Sequence, residues 1–288
     1  MLINQVNEYI YKQACEEDSA KPRRDSNVYW PSQANSILAN GDVVGNCLRN
    51  SFYSIHRETW TNPPSASAIR KMEYGKAIEK YELDMAQKSG VLAAQHITFE
   101  THIGSLKIRG NIDGIGSRDN LFKGMEYKTG GGYYFNKQIW GSYTESGQPR
   151  FSNLMQVMLY LDGFKTHAAY PFDECMIIYI DRGTGDTTEF SIKLDCGYPV
   201  INGEVNYILN INTIYKRFQK LDNYILYSTL PPCDFHPYYN KDELSKLYKC
   251  KKLSKAKYET FMDVGYGCDM ECGFCNWLDK CREDNSIL

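Results

Sequence analysis

The 288-residue chain reads as an α/β (α+β) protein, and three stretches carry that reading. Between residues 65 and 88, Ile69, Met72, Ala77, Ile78, Tyr81 and Met85 fall mostly on one side of a helix that Gly90 stops. Four segments rich in β-branched and aromatic residues follow, at 92–99, 103–109, 112–116 and 121–128, separated by turn residues. A second apolar helix at 153–164 then leads to strands at 175–180 and 187–194, which flank the turn 181–186.

The remaining elements follow from local pattern. Leu2, Val6, Tyr9 and Ile10 recur at helical spacing, which predicts a short amphipathic helix before the polar loop 21–25. Gly130, Gly131 and Gly132 predict a loop after the fourth strand, and a last helix is expected over 203–224, ahead of a cysteine-rich end. No internal repeat or low-complexity tract interrupts this order.

Composition excludes several function classes. With 42% hydrophobic and 24% charged residues the chain can bury a sizeable core, and its formal net charge of -2 argues against coating nucleic acid by bulk charge. The strongest apolar run, Leu154 to Leu161, is interrupted by Gln156 and is far short of the ~20 residues that span a bilayer. The residues at the start lack the basic-then-apolar pattern of a secretory signal. Ten cysteines in that setting point to metal or cluster ligation in a reducing, cytoplasmic compartment rather than to disulfides. No membrane association is expected.

Asp113 and the run Glu126-Tyr127-Lys128 carry the chemistry. Metal-dependent cleavage of a phosphodiester needs carboxylates to hold a divalent cation that positions or activates water. Alternate residues of a strand share a face, so Glu126 and Lys128 would stand together with Tyr127 turned away, and Asp113 would complete the site from the preceding strand. The same residues also read as an Asp-Gly hairpin turn and an alternation of solvated charges.

The order of helix, strands bearing Asp and Glu-x-Lys, and helix resembles the core of the PD-(D/E)XK nuclease superfamily. That likeness implies a restriction-endonuclease-like core with a central mixed sheet flanked by helices. Gln156 and Tyr160, four apart on one helical face, look like the motif that follows the catalytic strand in RecB-family nucleases. Gly75-x-x-x-Glu79 occupies the place where those families usually carry Gly-x-x-x-His. A carboxylate suits a hard cation, so Glu79 is a candidate ligand, with a surface Glu paired to Lys76, Lys80 or Arg70 as the alternative.

Cys272, Cys275 and Cys281 form a C-x2-C-x5-C pattern. With Cys47 they resemble the ligands of a [4Fe-4S] cluster in AddB-type and CRISPR-associated RecB-like nucleases, a cluster that would join the N- and C-terminal regions. Zinc takes the same thiolates, and Cys250 or Cys268 could replace Cys47 around it. Cys15, Cys175 and Cys196 read as free buried cysteines, and Cys233 is uncommitted.

The resemblance implies a single nuclease domain over 1–288, with a catalytic core at about 66–225 and cluster-binding segments at about 30–60 and 230–288. It implies hydrolysis of DNA, single-stranded or with a free end, as an exonuclease with possible endonuclease activity. Glu79, Asp113, Glu126 and the Tyr127 carbonyl would hold Mg²⁺ or Mn²⁺. Lys128 would orient the attacking water, and Gln156 and Tyr160 would position the substrate strand or Lys128. Tyr133, Tyr134 and Phe135 read either as base-stacking residues or as core and rim packing. The lysines between 246 and 257 read either as a track for a DNA backbone or as a solvated helical face. The five histidines fall outside these motifs. Two other classes fit parts of the pattern: a non-catalytic zinc-containing nucleic-acid-binding protein, and an assembly subunit on a nuclease fold.

Overall fold

The structure is a computed structural model that describes residues 2–20, 28–104, 106–118 and 121–285; the polar loop expected at 21–25 lies outside the described residues. The chain divides into two compact units, one of Met1–Arg24, Cys47–Ile69 and Tyr224–Leu288, the other of Asp25–Asn46 and Arg70–Asn223.

The second unit holds the strands β1 (Val28–Tyr29), β2 (Asn35–Ile37), β3 (Val43–Gly45), β4 (Leu92–Ile103), β5 (Leu106–Arg118), β6 (Leu121–Gly130), β7 (Glu174–Asp181), β8 (Thr187–Asp195), β9 (Tyr198–Ile201) and β10 (Glu204–Val205). Eight of them form one sheet in the order β1-β5-β6-β7-β8-β9-β10, with β4 also paired to β5. β1 runs parallel to β5 and β6 parallel to β7, and the other pairs are antiparallel. This is the expected mixed sheet flanked by helices. The parallel β6–β7 pair requires a crossover, and the helices Tyr133–Trp140 and Phe151–Phe164 supply it.

Alternation along β6 divides its residues between two layers. Met125 and Tyr127 pack with Ile180 against Leu83 of the helix Ala66–Lys88, and Glu126 between them turns to the opposite face. The helix Phe151–Phe164 is apolar almost all round, and Leu154, Met155, Val157, Met158, Leu159, Leu161 and Phe164 are buried. Each such side chain contributes about 1.5–3 kcal/mol. Gly163 admits the Phe99 ring so closely that a Cβ there would overlap it, at 2.1 Å.

Three expectations change. The strands placed at 103–109 and 112–116 are one strand, β5, which pairs with β4 without interruption from Leu106 to Ile112. Gly110, in the gap left between those two strands, is glycine because a Cβ would sit 2.7 Å from the Phe99 ring and 2.8 Å from Pro31. It follows that Asp113-Gly114 lies inside a strand, not in a hairpin turn.

The helix expected over 203–224 spans Ile211–Leu226, because Asn202 and Gly203 (φ 50° and 92°) close a two-residue hairpin between β9 and β10, and it is not the last: the helices Lys241–Lys249, Lys255–Val264, Met270–Gly273 and Leu278–Asp284 follow it. Cys196 and Gly197 (φ 51° and 84°) do the same between β8 and β9, so Cys196 is exposed rather than buried.

In the first unit, the helix Leu2–Ala20 forms but buries none of its residues. The rest of this unit joins buried apolar residues, among them Leu48, Tyr53, Leu244 and Trp277, with polar ties. The Thr61 and Asn62 N–H groups both donate to the Asn276 carbonyl at 3.0 and 2.9 Å. Trp277 Nε1 donates to the Glu58 carbonyl at 2.9 Å. Among the described residues no helix is long and apolar enough to cross a membrane.

Candidate active site and cysteine region

The edge of β5 that faces away from β4 is shared by two strands: β1 pairs with Lys107 and Ile108, and β6 with Gly114 to Arg118. Between them the edge has no strand partner among the described residues, and side chains take over. The Asp113 carboxylate accepts the Tyr127 N–H at 2.8 Å, continuing the β5–β6 ladder one step beyond Gly114–Met125. Lys128 Nζ donates to Glu126 Oε1 at 2.6 Å. Strand periodicity thus brings Glu126 and Lys128 together as expected, and the side chain of Tyr127 packs into the apolar cluster on the other face.

Glu126 is only 1% exposed; no N–H or hydroxyl donor reaches its second oxygen, Oε2, and the Asp113 carboxyl is the other side-chain partner of this residue. A buried carboxylate oxygen is costly to leave unpaired, and an oxygen ligand to a hard cation is the role that chemistry suits. Burial and the Glu126 charge push the Asp113 carboxyl above its ordinary range. Burial raises Glu126 too, against the pull of Lys128, and Glu79 is raised by burial and then by Asp113. Burial alone would lower Lys128, but Glu126 and Asp113 outweigh it and hold the ammonium charged. The corner therefore crowds more negative charge than one lysine neutralises, which a divalent cation would relieve. Among the described residues, no three His, Cys, Asp or Glu side chains converge as a ready-made metal cage, although Glu79, Asp113 and Glu126 each act on one another's charge.

The helical pair is also brought to this corner, in a structural position. Gln156 Nε2 donates to the Tyr160 hydroxyl at 2.7 Å, and that hydroxyl donates to the Asn111 carbonyl at 2.7 Å. Tyr160 is buried, and burial followed by the Glu126 charge raises its phenol. The two residues pin β5 two positions before Asp113.

The sequence reading passed over His96. Gln95 pairs with Gly114 and Ile97 with Ile112, so His96 falls opposite Asp113. It takes a left-handed backbone (φ 52°) and lies within electrostatic reach of both Glu79 and Asp113. Only the β4–β5 register reveals this position, and splitting β5 into two strands concealed it.

Of the three aromatics after the glycines, Phe135 is core, packed on Gly130, while Tyr133 and Tyr134 are 73% and 83% exposed. Gly132 (φ 92°) caps the helix that carries them.

In the first unit, Cys47 caps the helix Leu48–His56, Cys272 lies in the turn Met270–Gly273, and Cys281 lies in the helix Leu278–Asp284. The Cys272 thiol is pushed up by burial and by the neighbouring thiols of Cys268, Cys47 and Cys275. Burial also raises Cys47 and Cys268. Cys275 Sγ receives Asn50 Nδ2 at 3.4 Å and the Trp277 N–H at 3.5 Å, the kind of N–H···S bond that tunes thiolate ligands. Thiols with N–H partners are the donor type that a soft metal group takes, but among the described residues no three of them converge on one point. Cys281 is engaged differently: its sulfur lies 3.2 Å from that of Cys233. The lysines at 246, 249, 251, 252, 255 and 257 are all exposed. Cys175 is buried in the sheet of the second unit.

No protein-family model matches the chain, and no curated protein matches it in sequence. Among solved structures it is similar to that of SSO0001, at 15% identity and a TM-score of 0.44, over 87% of this chain and 96% of that one. It is also similar to an alkaline exonuclease (LHK-Exo) from Laribacter hongkongensis, at 11% identity and a TM-score of 0.35, over 55% of this chain and 67% of that one.

Proposed function

We propose that the protein is a metal-dependent DNA nuclease of the RecB-like, iron-sulfur type, acting on single strands from a free end. The observation that carries this reading is Glu126, buried with one oxygen on Lys128 and the other without an N–H or hydroxyl donor, beside an Asp113 whose carboxyl burial and that neighbour both raise. A scaffold has no chemical use for such a grouping. Glu126, Asp113, the Tyr127 carbonyl and Glu79 are the groups that would hold Mg²⁺ or Mn²⁺. Bound there, the cation would acidify water and offset the charge that develops on the scissile phosphate.

Lys128, charged and anchored on Glu126, orients the attacking water and stabilises the transition state with its free N–H groups. Tyr160 and Gln156 position Asp113 through the β5 backbone. Exposed Tyr133 and Tyr134 offer faces for unpaired bases. Cys47, Cys272, Cys275 and Cys281 are the ligands of the proposed [4Fe-4S] cluster, with zinc as the competing occupant.

The test uses end-labelled single- and double-stranded DNA with and without Mg²⁺ or Mn²⁺. Metal-dependent loss of the label from single strands, abolished by Glu126→Ala and by Lys128→Ala, is expected. Unchanged cleavage in those variants would overturn the assignment. Anaerobically purified protein should be brown and hold about four irons per chain, whereas colourless protein with stoichiometric zinc would replace the cluster.

A further inference from the structure

The geometry points to Cys233 and Cys281 as a redox-active dithiol that closes to an intrachain disulfide, a modification that removes Cys281 from any metal group. The two sulfurs are 3.2 Å apart. Thiolates on neighbouring corners of an iron-sulfur cube bind different irons, so two sulfurs this close cannot both serve it in this arrangement. One of the pair is therefore surplus to a four-thiolate cluster, and the surplus thiol touches a ligand.

The pair is fixed by its surroundings. Buried Arg49 donates Nη1 to Cys281 Sγ at 3.7 Å and is fixed by its Nε bond to the Pro231 carbonyl at 2.7 Å. Asn285 Nδ2 donates to Cys233 Sγ at 3.4 Å and to Cys281 Sγ at 3.7 Å. These donors hold the two sulfurs facing one another. Access divides the roles, because Cys281 is 7% exposed and Cys233 is half-buried.

With a low-molecular-weight disulfide such as glutathione disulfide as oxidant, the Cys233 thiolate attacks one sulfur and expels one thiolate, leaving a mixed disulfide. Cys281, having given up its proton, then attacks the Cys233 sulfur and expels the second thiolate. The chain loses two electrons and two protons, and the oxidant becomes two thiols. The S–S bond of about 2.0 Å requires the sulfurs to approach by only about 1 Å. Only the consequence for the metal rests on the proposed cluster; the dithiol stands apart from it.

The experiment exposes the full chain, purified anaerobically, to a graded series of glutathione redox buffers, blocks free thiols with N-ethylmaleimide, and maps the cysteines by mass spectrometry with iron measured in parallel. Cys233 and Cys281 should lose alkylation together, as one linked peptide pair, with bound iron falling in step. Cys233→Ser should keep its iron and show no such link. If the folding of that variant fails, the wild-type map decides alone. Cys233 and Cys281 both remaining alkylated while exposed Cys196 and Cys250 become glutathionylated would overturn the proposal, as would a link from Cys281 to any other cysteine. A link that forms in a chain without iron would support the dithiol and sink the cluster.

Discussion

Asp113, Glu126 and Lys128 stand on two neighbouring strands of a continuous sheet, and each is fixed by a bond of 2.6 to 2.8 Å at that corner. The thiols come from four separate stretches of chain: Cys47, Cys233, the run from Cys268 to Cys275, and Cys281. The helices Met270–Gly273 and Lys255–Val264, around Cys268 to Cys275, bury none of their residues, whereas Leu48, Tyr53 and Trp277 beside Cys47 and Cys281 are buried. The acids are thus held by the fold at an electrostatic cost that a cation would offset, whereas the thiols of Cys268 to Cys275 lie on or beside short, unburied helices that a bound metal group would order. The carboxylate corner should keep its shape without metal; the cysteine region should not.

The sharpest way to break this contrast is Glu126→Gln. Losing the buried charge should lower metal-dependent cleavage by about three orders of magnitude or more, while the near-identical shape keeps the thermal midpoint within a few degrees of wild type or above it. Single-turnover rates on labelled single strands, together with melting curves, check both halves. Cys272→Ser should behave in the opposite way: loss of iron and an apparent destabilisation on the order of several kcal/mol, read from iron content and from proteolysis confined to the first unit. If Cys272→Ser melts like wild type, the cysteine region is self-supporting and the contrast fails.

A smaller effect is expected at the helix behind the acids. Tyr160→Phe leaves the Asn111 carbonyl without its side-chain donor, a loss of about 0.5–1.5 kcal/mol. Because Asn111 lies two residues from Asp113, Mn²⁺ affinity should fall several-fold. Gln156→Ala removes only a donation to the Tyr160 hydroxyl and should do less. Equal effects from the two, measured by denaturant unfolding and Mn²⁺ titration, would show that Gln156 touches the chemistry itself.

How much was legible follows from the same physics. Glu126 and Lys128 were legible because period-2 alternation is a property of any strand, and Tyr160 with Gln156 because four residues make one helical face. The helix Ala66–Lys88 and the strands β4, β6, β7 and β8 were legible from long, consistent patterns. His96 was not, since it reaches the acids through a cross-strand register that depends on where a hairpin turns. Gly110 fell in the gap between two expected strands, and glycine at a close approach of Phe99 and Pro31 looks, in sequence, like glycine at a turn. Asn202-Gly203 was a hairpin signal absorbed into a helix by the amphipathic run that begins at Ile211. The Cys233–Cys281 contact links residues 48 apart in sequence, and no local pattern encodes it.

The smallest prediction tests the electrostatic half of the contrast through pH. In metal-free protein, burial and mutual repulsion raise the carboxyls of Asp113 and Glu126. Between the unfolded carboxylate range, near pH 4, and those raised values the folded state binds more protons than the unfolded chain. The stability contributed by the pair is therefore fully present below about pH 4 and is lost as pH rises through the raised values. The thermal midpoint in EDTA should fall between pH 5 and pH 8 for wild type. Asp113→Asn retains an oxygen to accept the Tyr127 N–H but cannot ionise, so its fall should be shallower. At pH 8 it should melt about 2–4 °C above wild type, the shift expected from roughly 1 kcal/mol in a chain of this size. Saturating Mn²⁺ should reverse that order, because only wild type keeps both charged oxygen ligands. A wild-type midpoint that rises from pH 5 to pH 8 in EDTA would mean that Lys128 already neutralises the corner, and the acids would need no cation to settle them.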